Sequence, residues 1–593
     1  MIDSNTPGPK AGEDSPARED AYVAVMTALI ITILLMAVGM AVDVASWYSR
    51  STTLQRAADA AALAGVTATP NRASQRNIAT ESLTKSGIVD GVNGMTVATS
   101  FLPGSSNRMQ ISVTDNNVTG FFTRWFRQSP SITRTATAQF IQNISMGSAL
   151  NALGTGDKPG MTPDGSTQDF WLAVGGFCTA KEDGDRLLSS SDGSRQYNSD
   201  IHVCGHLTVP HPNPADAHAN TDYDPAGYTY NLSVPCPGVM VDGECPYNAP
   251  VTPSPITIEI YDPSYSPVPA YGVPDPFLRL DSKMVGSVHP AFNSVSVSTT
   301  YAVYRPDATP DDHTDDGPSQ MVSSTFGTCQ SPCADTNTWV PLITIPVGSP
   351  GGNYRVQVHT LQGEPNSFGH NVFAFRARVG ATFSPCSSVP TSSAYNINCP
   401  SIAGDDSISV YANKSGAQAD MYLARLAPAS DYRGKRIRIL LWDPGEGAKQ
   451  IQILAPGSAS PFTFAYKTWD PGLARLDGTK LQDKAEGWTS QIVTNTLNVG
   501  TYGAASGWYG GVYYPQWDPN SRFSDSRYND RMVAIELTVP RNYGRDATGA
   551  EIPLLDDGWW KIRYISDTGT VTDRTTWSVG LAGDPVHLVD PNN

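Results

Sequence analysis

The sequence predicts a mainly β protein: a long N-terminal transmembrane helix, a small α+β segment, then two tandem antiparallel β-sandwich domains of jelly-roll type. Three observations predict it. An uncharged apolar run occupies Ala21 to Val42. From Asp169 onward, period-two runs such as YTYNLSV, ITIEIYD, YRVQVHT, VFAFRAR, IRILLWD and VAIELTV are separated by Pro, Gly and Asp clusters, the pattern of half-buried strands joined by turns. Of 593 residues only 16% are charged, while 52 are Gly and 46 are Pro, which suits short strands better than long helices. Lys plus Arg number 40 against 56 Asp plus Glu, a net charge of −16, so the chain lacks the basic footprint of a nucleic-acid binder.

Residues 1–20 read as a short polar tail. The run AYVAVMTALIITILLMAVGMAV that follows is long enough, at about 1.5 Å per residue, to cross a hydrocarbon core of about 30 Å. A secretory leader would be shorter and end at a small-residue cleavage site, whereas here Asp43 and more helix-compatible sequence follow. WYSRSTTLQRAADAAALAGVTA continues the helix, with Gly65 and Pro70 as stop signals, so one helix is expected over 21–68. Ala57, Ala58, Ala60, Ala61, Ala62 and Ala64 offer a small-residue surface that another backbone can approach closely, or simply high helix propensity. Asp43, at the outer edge of the run, either pairs with a cation on a neighbouring subunit or marks the interface.

Lys10 and Arg18 on one flank and Arg50, Arg56, Arg72 and Arg76 on the other leave the orientation open by charge. The cysteines orient it. Cys178, Cys204, Cys236, Cys245, Cys329, Cys333, Cys386 and Cys399 all follow the helix, and their even number suits disulfides in an oxidising compartment. The tail is therefore expected in the cytoplasm and the large C-terminal region outside. Sequential pairing would close four small loops, but sequence does not choose the connectivity.

The stretch VAVMTALIITILLMAVGMAVDVASWYSRSTTLQRAADAAALAG resembles the N-terminal segment of TadE/TadG-like proteins of the bacterial tight-adherence (Flp) pilus-assembly system. The matching features are the apolar helix ending in AVDV, an aromatic and basic patch, Leu54 and Gln55, and the AADAAALAG block. The resemblance implies a pilin-like segment over 69–141, with MQISV, FFTRWF and SITRTATAQF as strand, turn and closing strand, and it implies an assembly helix carried by Asp43, Trp47, Leu54, Gln55, Ala57, Ala58, Asp59, Ala61 and Gly65. Gly8 and Glu13 have the spacing of a prepilin-type processing site. Asp14, Pro16, Arg18, Glu19 and Asp20 still precede the apolar run, which favours a subunit that stays in the membrane.

Residues 142–168, rich in Gly, Ser, Thr and Pro, read as a linker. Beyond them the chain repeats. ITIEIYDPSY parallels IRILLWDPGE, GNYRVQV parallels GWWKIRY, and NVFAFRARVG parallels TTWSVGLAG in the same order, which predicts sandwiches over 169–381 and 405–593, each able to fold independently. Residues 382–404, holding Cys386 and Cys399, are the expected connector between them.

Several constellations are candidate sites. His202, Cys204 and His206, with His211 and His218 following, share one strand face at metal-ligand spacing, although Cys204 is equally a disulfide partner. Asp307, Asp311, Asp312, Asp315 and Asp316, and the group Glu182, Asp183 and Asp185, offer hard oxygens to Ca2+ or form solvated loops. Asp405, Ser407 and Ser409 have a D-x-S-x-S spacing but lack the parallel strand and helix that an ion-dependent adhesion site needs. Trp508 and Tyr509, with Tyr513, Tyr514 and Trp517, are a candidate ligand platform or a cap on the core. No G-x-S-x-G, H-E-x-x-H, Walker A or G-x-G-x-x-G pattern occurs, so no enzyme is expected.

The expected function is a membrane-anchored, surface-exposed structural or adhesion component of a Tad/Flp-like pilus system. Its expected partners are the membrane, apparatus subunits, and a surface glycan or host or cell-surface protein, with no nucleic acid. A membrane-tethered carbohydrate- or calcium-dependent binding protein is the alternative, and an envelope hydrolase the second.

Overall fold

The computed structural model describes residues 16–67, 72–101, 108–118, 120, 130–140, 144–154, 169–175, 184–187, 224, 226–235, 254–263, 298–306, 319–326, 338–360, 370–387, 398–445, 448–470, 487–500, 507–509, 512–514, 528, 532–567, 569–583 and 586–589. The chain divides into two units, residues 1–140 with 586–593 and residues 141–585.

The first unit is α+β. Helix α1 (Pro16–Val66) runs unbroken for 51 residues, about 76 Å, because its sequence is dominated by strong helix formers with no proline past its first position. It stops shortly before Pro70. Helix α2 (Arg72–Lys85) is polar and packs on α1. Strands β1 (Met95–Phe101), β2 (Arg108–Asp115), β3 (Ile132–Phe140) and β27 (Val586–Leu588) form an antiparallel sheet in the order β1-β2-β3-β27. Strand β2 alternates as a one-face strand should, burying Met109, Ile111 and Val113 under the helices. The unit therefore extends beyond the expected 69–141: the last strand comes from the far side of the large insertion, and the second sandwich does not reach 593.

Among the described residues the second unit is β apart from a single α-helical turn at Ala429–Tyr432 and a 3-10 turn at Leu555–Gly558. Its first half contains β4 (Ala152–Leu153), β5 (Phe170–Gly175), β6 (Tyr228–Val234), β7 (Ile256–Tyr261), β8 (Thr299–Tyr304), β9 (Gln320–Phe326), β10 (Trp339–Ile345), β11 (Gly352–Thr360) and β12 (His370–Val379). The second contains β13 (Ser401–Gly404), β14 (Ile408–Ser415), β15 (Gln418–Arg425), β16 (Arg436–Trp442), β17 (Gln450–Leu454), β18 (Phe464–Asp470), β19 (Gly487–Trp488), β20 (Ile492–Thr494), β21 (Leu497–Asn498), β22 (Gly507–Tyr509), β23 (Val512–Tyr514), β24 (Met532–Thr538), β25 (Trp559–Ile565) and β26 (Thr570–Leu581).

The two halves share one topology. Strands β5-β12-β7-β10 form one layer of the first half and β6-β11-β8-β9 the other; the second half repeats this as β14-β26-β16-β24 and β15-β25-β17-β21. Numbering eight strands within each half, the layers read 1-8-3-6 and 2-7-4-5, the jelly-roll order. The repeats seen in the sequence fall on equivalent strands: β7 with β16, β11 with β25, β12 with β26. Even the strand ends agree, since Asp262 and Asp443 both turn the chain in the left-handed region at φ 54° and 52°.

The halves are not separate beads. Strand β5 pairs with β14, so the two layers become one continuous sheet, and a single hydrophobic core runs through both halves. Leu172 pairs with Phe373, and Val410 pairs with Thr575 at the equivalent position; Leu172 and Val410 then pair with each other. The seam is thus a local two-fold in which each first strand covers the edge of the other, the liability that an unpaired edge would leave.

Three expected boundaries change. Part of the expected linker is structural: Ile144, Met146 and Leu153 lie in the core, and the Asn151 amide donates to the carbonyls of Ala377 and Ser384 at 3.0 and 3.1 Å. The expected connector is also structural, because β13 extends the sheet of the first half by pairing with β6. The two expected sandwiches are joined through a shared sheet. The reason is the edge pairing of β5 with β14, a long-range contact that neither segment's periodicity encodes.

Polar groups inside the sheet are matched to partners. Glu259 on β7 is buried between Arg376 and Arg378, at 2.6 and 2.8 Å, and the Arg376 guanidinium stacks 4.1 Å from the Trp339 ring. His359 on β11 is half-buried, Nδ1 has no partner among the described residues, and loss of hydration holds its pKa below the usual 6.5. The unfolded chain then binds the proton more tightly, so stability falls as pH drops through about 6.5. His359→Gln should flatten that fall, measured as the difference in urea midpoint between pH 7.5 and 5.5.

Candidate membrane-anchor and assembly segment

Helix α1 changes character along its length. From Tyr22 to Val42 nearly every side chain is exposed, Tyr22 at 69%, and Tyr22–Val66 contains a window of mean hydropathy 2.6, long and apolar enough to cross a membrane. So large an apolar surface exposed to water would be a heavy penalty; in lipid it is the favoured state. At about 1.5 Å per residue these 21 positions match a core of about 30 Å.

A buried stripe begins before the apolar run ends. Gly39 and Asp43 are buried, Trp47 and Arg50 are half-buried, and Ser51, Leu54, Ala57, Ala58, Ala61, Ala62 and Gly65 are buried, the spacing of one helix face. Asp43 is only 1% exposed. The opposite face stays open, with Tyr48 76% exposed and Ser49, Arg56 and Ala60 beside it.

The AADAAALAG block serves the chain's own fold. Ala57, Ala58, Ala61 and Ala62 pack on Met109, Ile111 and Val113 of β2 and Ala136 and Ala138 of β3, with Ala79 and Leu83 of α2 alongside. Small residues on both partners let the helix backbone come close to the sheet. Gly65 is the tightest point: a Cβ there would lie 2.6 Å from Met109 Sδ, 2.9 Å from the Gln75 carbonyl oxygen and 3.0 Å from Ala79 Cβ. The backbone approach anticipated for these alanines is thus supplied by the same chain.

Polar residues fix the helix to the sheet. Arg50 Nε donates to Asp115 Oδ2 at 2.8 Å, and Asp115 Oδ1 accepts the Asn117 N–H at 3.0 Å. Arg134 Nε donates to Ser51 Oγ at 2.7 Å. Gln55 Nε2 donates to Asp59 Oδ1 at 2.7 Å and to the Thr135 carbonyl at 3.2 Å, which ties the helix to the edge of β3. Asp115 is buried while Arg50 is partly exposed, so the ion pair is screened and Asp115→Ala should cost about 1–2 kcal/mol. Chemical unfolding of the N-terminal unit in detergent checks it. Sequence reading missed Arg50, Ser51, Asp115 and Arg134, whose partners lie 65 to 83 positions apart.

Cys386 and Cys399 form a disulfide. Cys178, Cys204, Cys236, Cys245, Cys329 and Cys333 lie outside the described residues, as do His202, His206, His211, His218, Glu182, Asp183, Asp307, Asp311, Asp312, Asp315, Asp316 and Trp517. Asp185 is buried and structural: it accepts hydrogen bonds from the Tyr228 hydroxyl, the Gly175 N–H and, at 3.0 Å, the Leu187 N–H. Burial and that carboxylate push the Tyr228 hydroxyl pKa well up. Asp405 lies in the β13–β14 turn and Ser409 within β14, both buried, and every strand pairing of β13 and β14 among the described residues is antiparallel. Trp508 and Tyr509 belong to a two-stranded hairpin, Trp508 opposite Tyr513. Among the described residues no three His, Cys, Asp or Glu side chains converge as a metal site.

Residues 22–68 match the family model described as "Putative Flp pilus-assembly TadE/G-like". No curated protein and no solved structure matches the chain. The matched residues coincide with the exposed apolar segment and the buried alanine block of α1. Over residues 22–68 the chain is thus similar to the TadE/G-like Flp pilus-assembly family.

Proposed function

We propose that this protein is a membrane-anchored, non-enzymatic structural and adhesion component of a Tad/Flp-like pilus-assembly system, with the tail before α1 in the cytoplasm and the double jelly roll at the cell surface. The observation that carries the reading is the coincidence of the family match with a helix whose first half is fit for lipid and whose second half is the core of a small α+β unit. The Cys386–Cys399 disulfide, downstream of the helix, supports the orientation.

The jelly-roll order supports a second reading, a tethered binder of surface glycan or of a cell-surface protein, since lectin domains also use this architecture. The test is an affinity pull-down of the tagged protein from detergent-solubilised native envelopes, beside a version lacking the helix and exported by a cleavable leader. Retention of Flp-apparatus subunits by the full chain alone supports the assembly reading. Retention of glycan or an unrelated surface protein by both forms, with no apparatus subunit, supports the second.

A further inference from the structure

Strand β3 ends at Phe140 and β27 begins at Val586, and these two residues are register partners. Residues 141–585 are therefore an insertion at the mouth of one antiparallel strand pair. Strand β27 contributes structure as well as topology. Leu588 lies opposite Ala138, which is fully buried beneath α1; the Val589 N–H donates to the Thr137 carbonyl at 2.9 Å; and Val586 packs against the same core as the alanine block.

Resting on the function proposed above, we infer that the module engaging the membrane-side partner is the closed N-terminal unit, residues 16–140 together with 586–589, and that residues 141–585 are cargo carried on it. Without β27 the Thr137–Phe140 backbone edge loses its partner strand, and the core loses the Val586 contact. An open edge next to an alanine-rich core is a poor platform for a specific partner and a template for unspecific strand pairing. Because 586–589 are synthesised after the whole insertion, the unit closes only on chains whose double jelly roll has already been made. Partner engagement is thereby reserved for such chains.

The test uses the full chain in native membranes, unaltered, lacking residues 586–593, or carrying Val586→Asp. Trypsin cleavage within residues 72–140 and retention of the apparatus subunits that the unaltered chain captures are read side by side. Both variants should be cut within 72–140 about tenfold faster or more and should lose the captured subunits, while the protease-resistant core of 141–585 and the Cys386–Cys399 disulfide persist. Cleavage within twofold of the unaltered chain overturns the inference, as does simultaneous loss of both units. Retained subunits on a variant that is cleaved faster also overturn it, because partner engagement would then not need closure. An unaltered chain that captures no apparatus subunit overturns the proposed function and the partner clause, and proteolysis then still decides whether 586–589 belong to the N-terminal unit.

Discussion

Trp577→Ala is expected to melt both jelly rolls together, in one transition, with a loss of about 3–5 kcal/mol. Trp577 is fully buried on β26, stands edge-on to Phe170 at 6.3 Å, and lies opposite Ile408 of β14. Phe170 belongs to β5, in the other half, and pairs through Ala412 with β14. Truncating the indole therefore opens a cavity at the seam, where neither half can close around it alone. The measurement is differential scanning calorimetry of residues 141–585, with Phe170→Ala and the double variant completing a cycle. A coupling above about 0.5 kcal/mol is expected for side chains in contact across the seam. Two separated transitions, with only the second half shifted, would show that the halves unfold independently.

The second large effect is Gly65→Val, which should unfold the N-terminal unit and leave the jelly rolls intact. The new Cβ would meet Met109 Sδ, which can move, and the Gln75 carbonyl oxygen at 2.9 Å, which is backbone and cannot move without lifting the α2 start away from α1. Overpacking of this kind costs about 1–3 kcal/mol. The N-terminal core is small and about half of its buried residues are alanines, so that cost is a large part of its stability. Protease sensitivity of residues 72–140 should rise, while the calorimetric transition of 141–585 should not move. Gly65→Ala, which adds the same Cβ without branching, should lie between the two.

The long apolar helix, the alanine block and the jelly-roll repeat were legible because each is a local pattern. An apolar run of 22 residues is long enough to cross a bilayer whatever the rest of the chain does, and alternation in ITIEIYD or YRVQVHT reports strand faces. The repeat was legible because duplicated strands keep the same inward positions: Ile256, Ile258 and Ile260 on β7 are all buried, as are Ile437, Ile439 and Leu441 on β16. The candidate site was legible in part. Leu54, Ala57, Ala58, Ala61 and Gly65 could be singled out by the family resemblance, but their facing surface could not, because it consists of strands far downstream, from Met109 on β2 to Ala138 on β3.

By itself the sequence determined an apolar helix long enough to span a membrane, the mainly β class, the internal repeat and the likeness of residues 22–68 to the TadE/G-like family. These rest on periodicities of a few residues and on composition, which single segments carry. Only the tertiary structure decided that the alanine block is covered by the chain's own sheet, that β5 and β14 fuse two jelly rolls into one sheet, and that Val586–Leu588 completes a fold begun hundreds of residues earlier. Those are choices of which edge meets which. Backbone edges present the same N–H and C=O groups in every strand, so the choice is made by the packing of whole layers and leaves no mark on the local sequence.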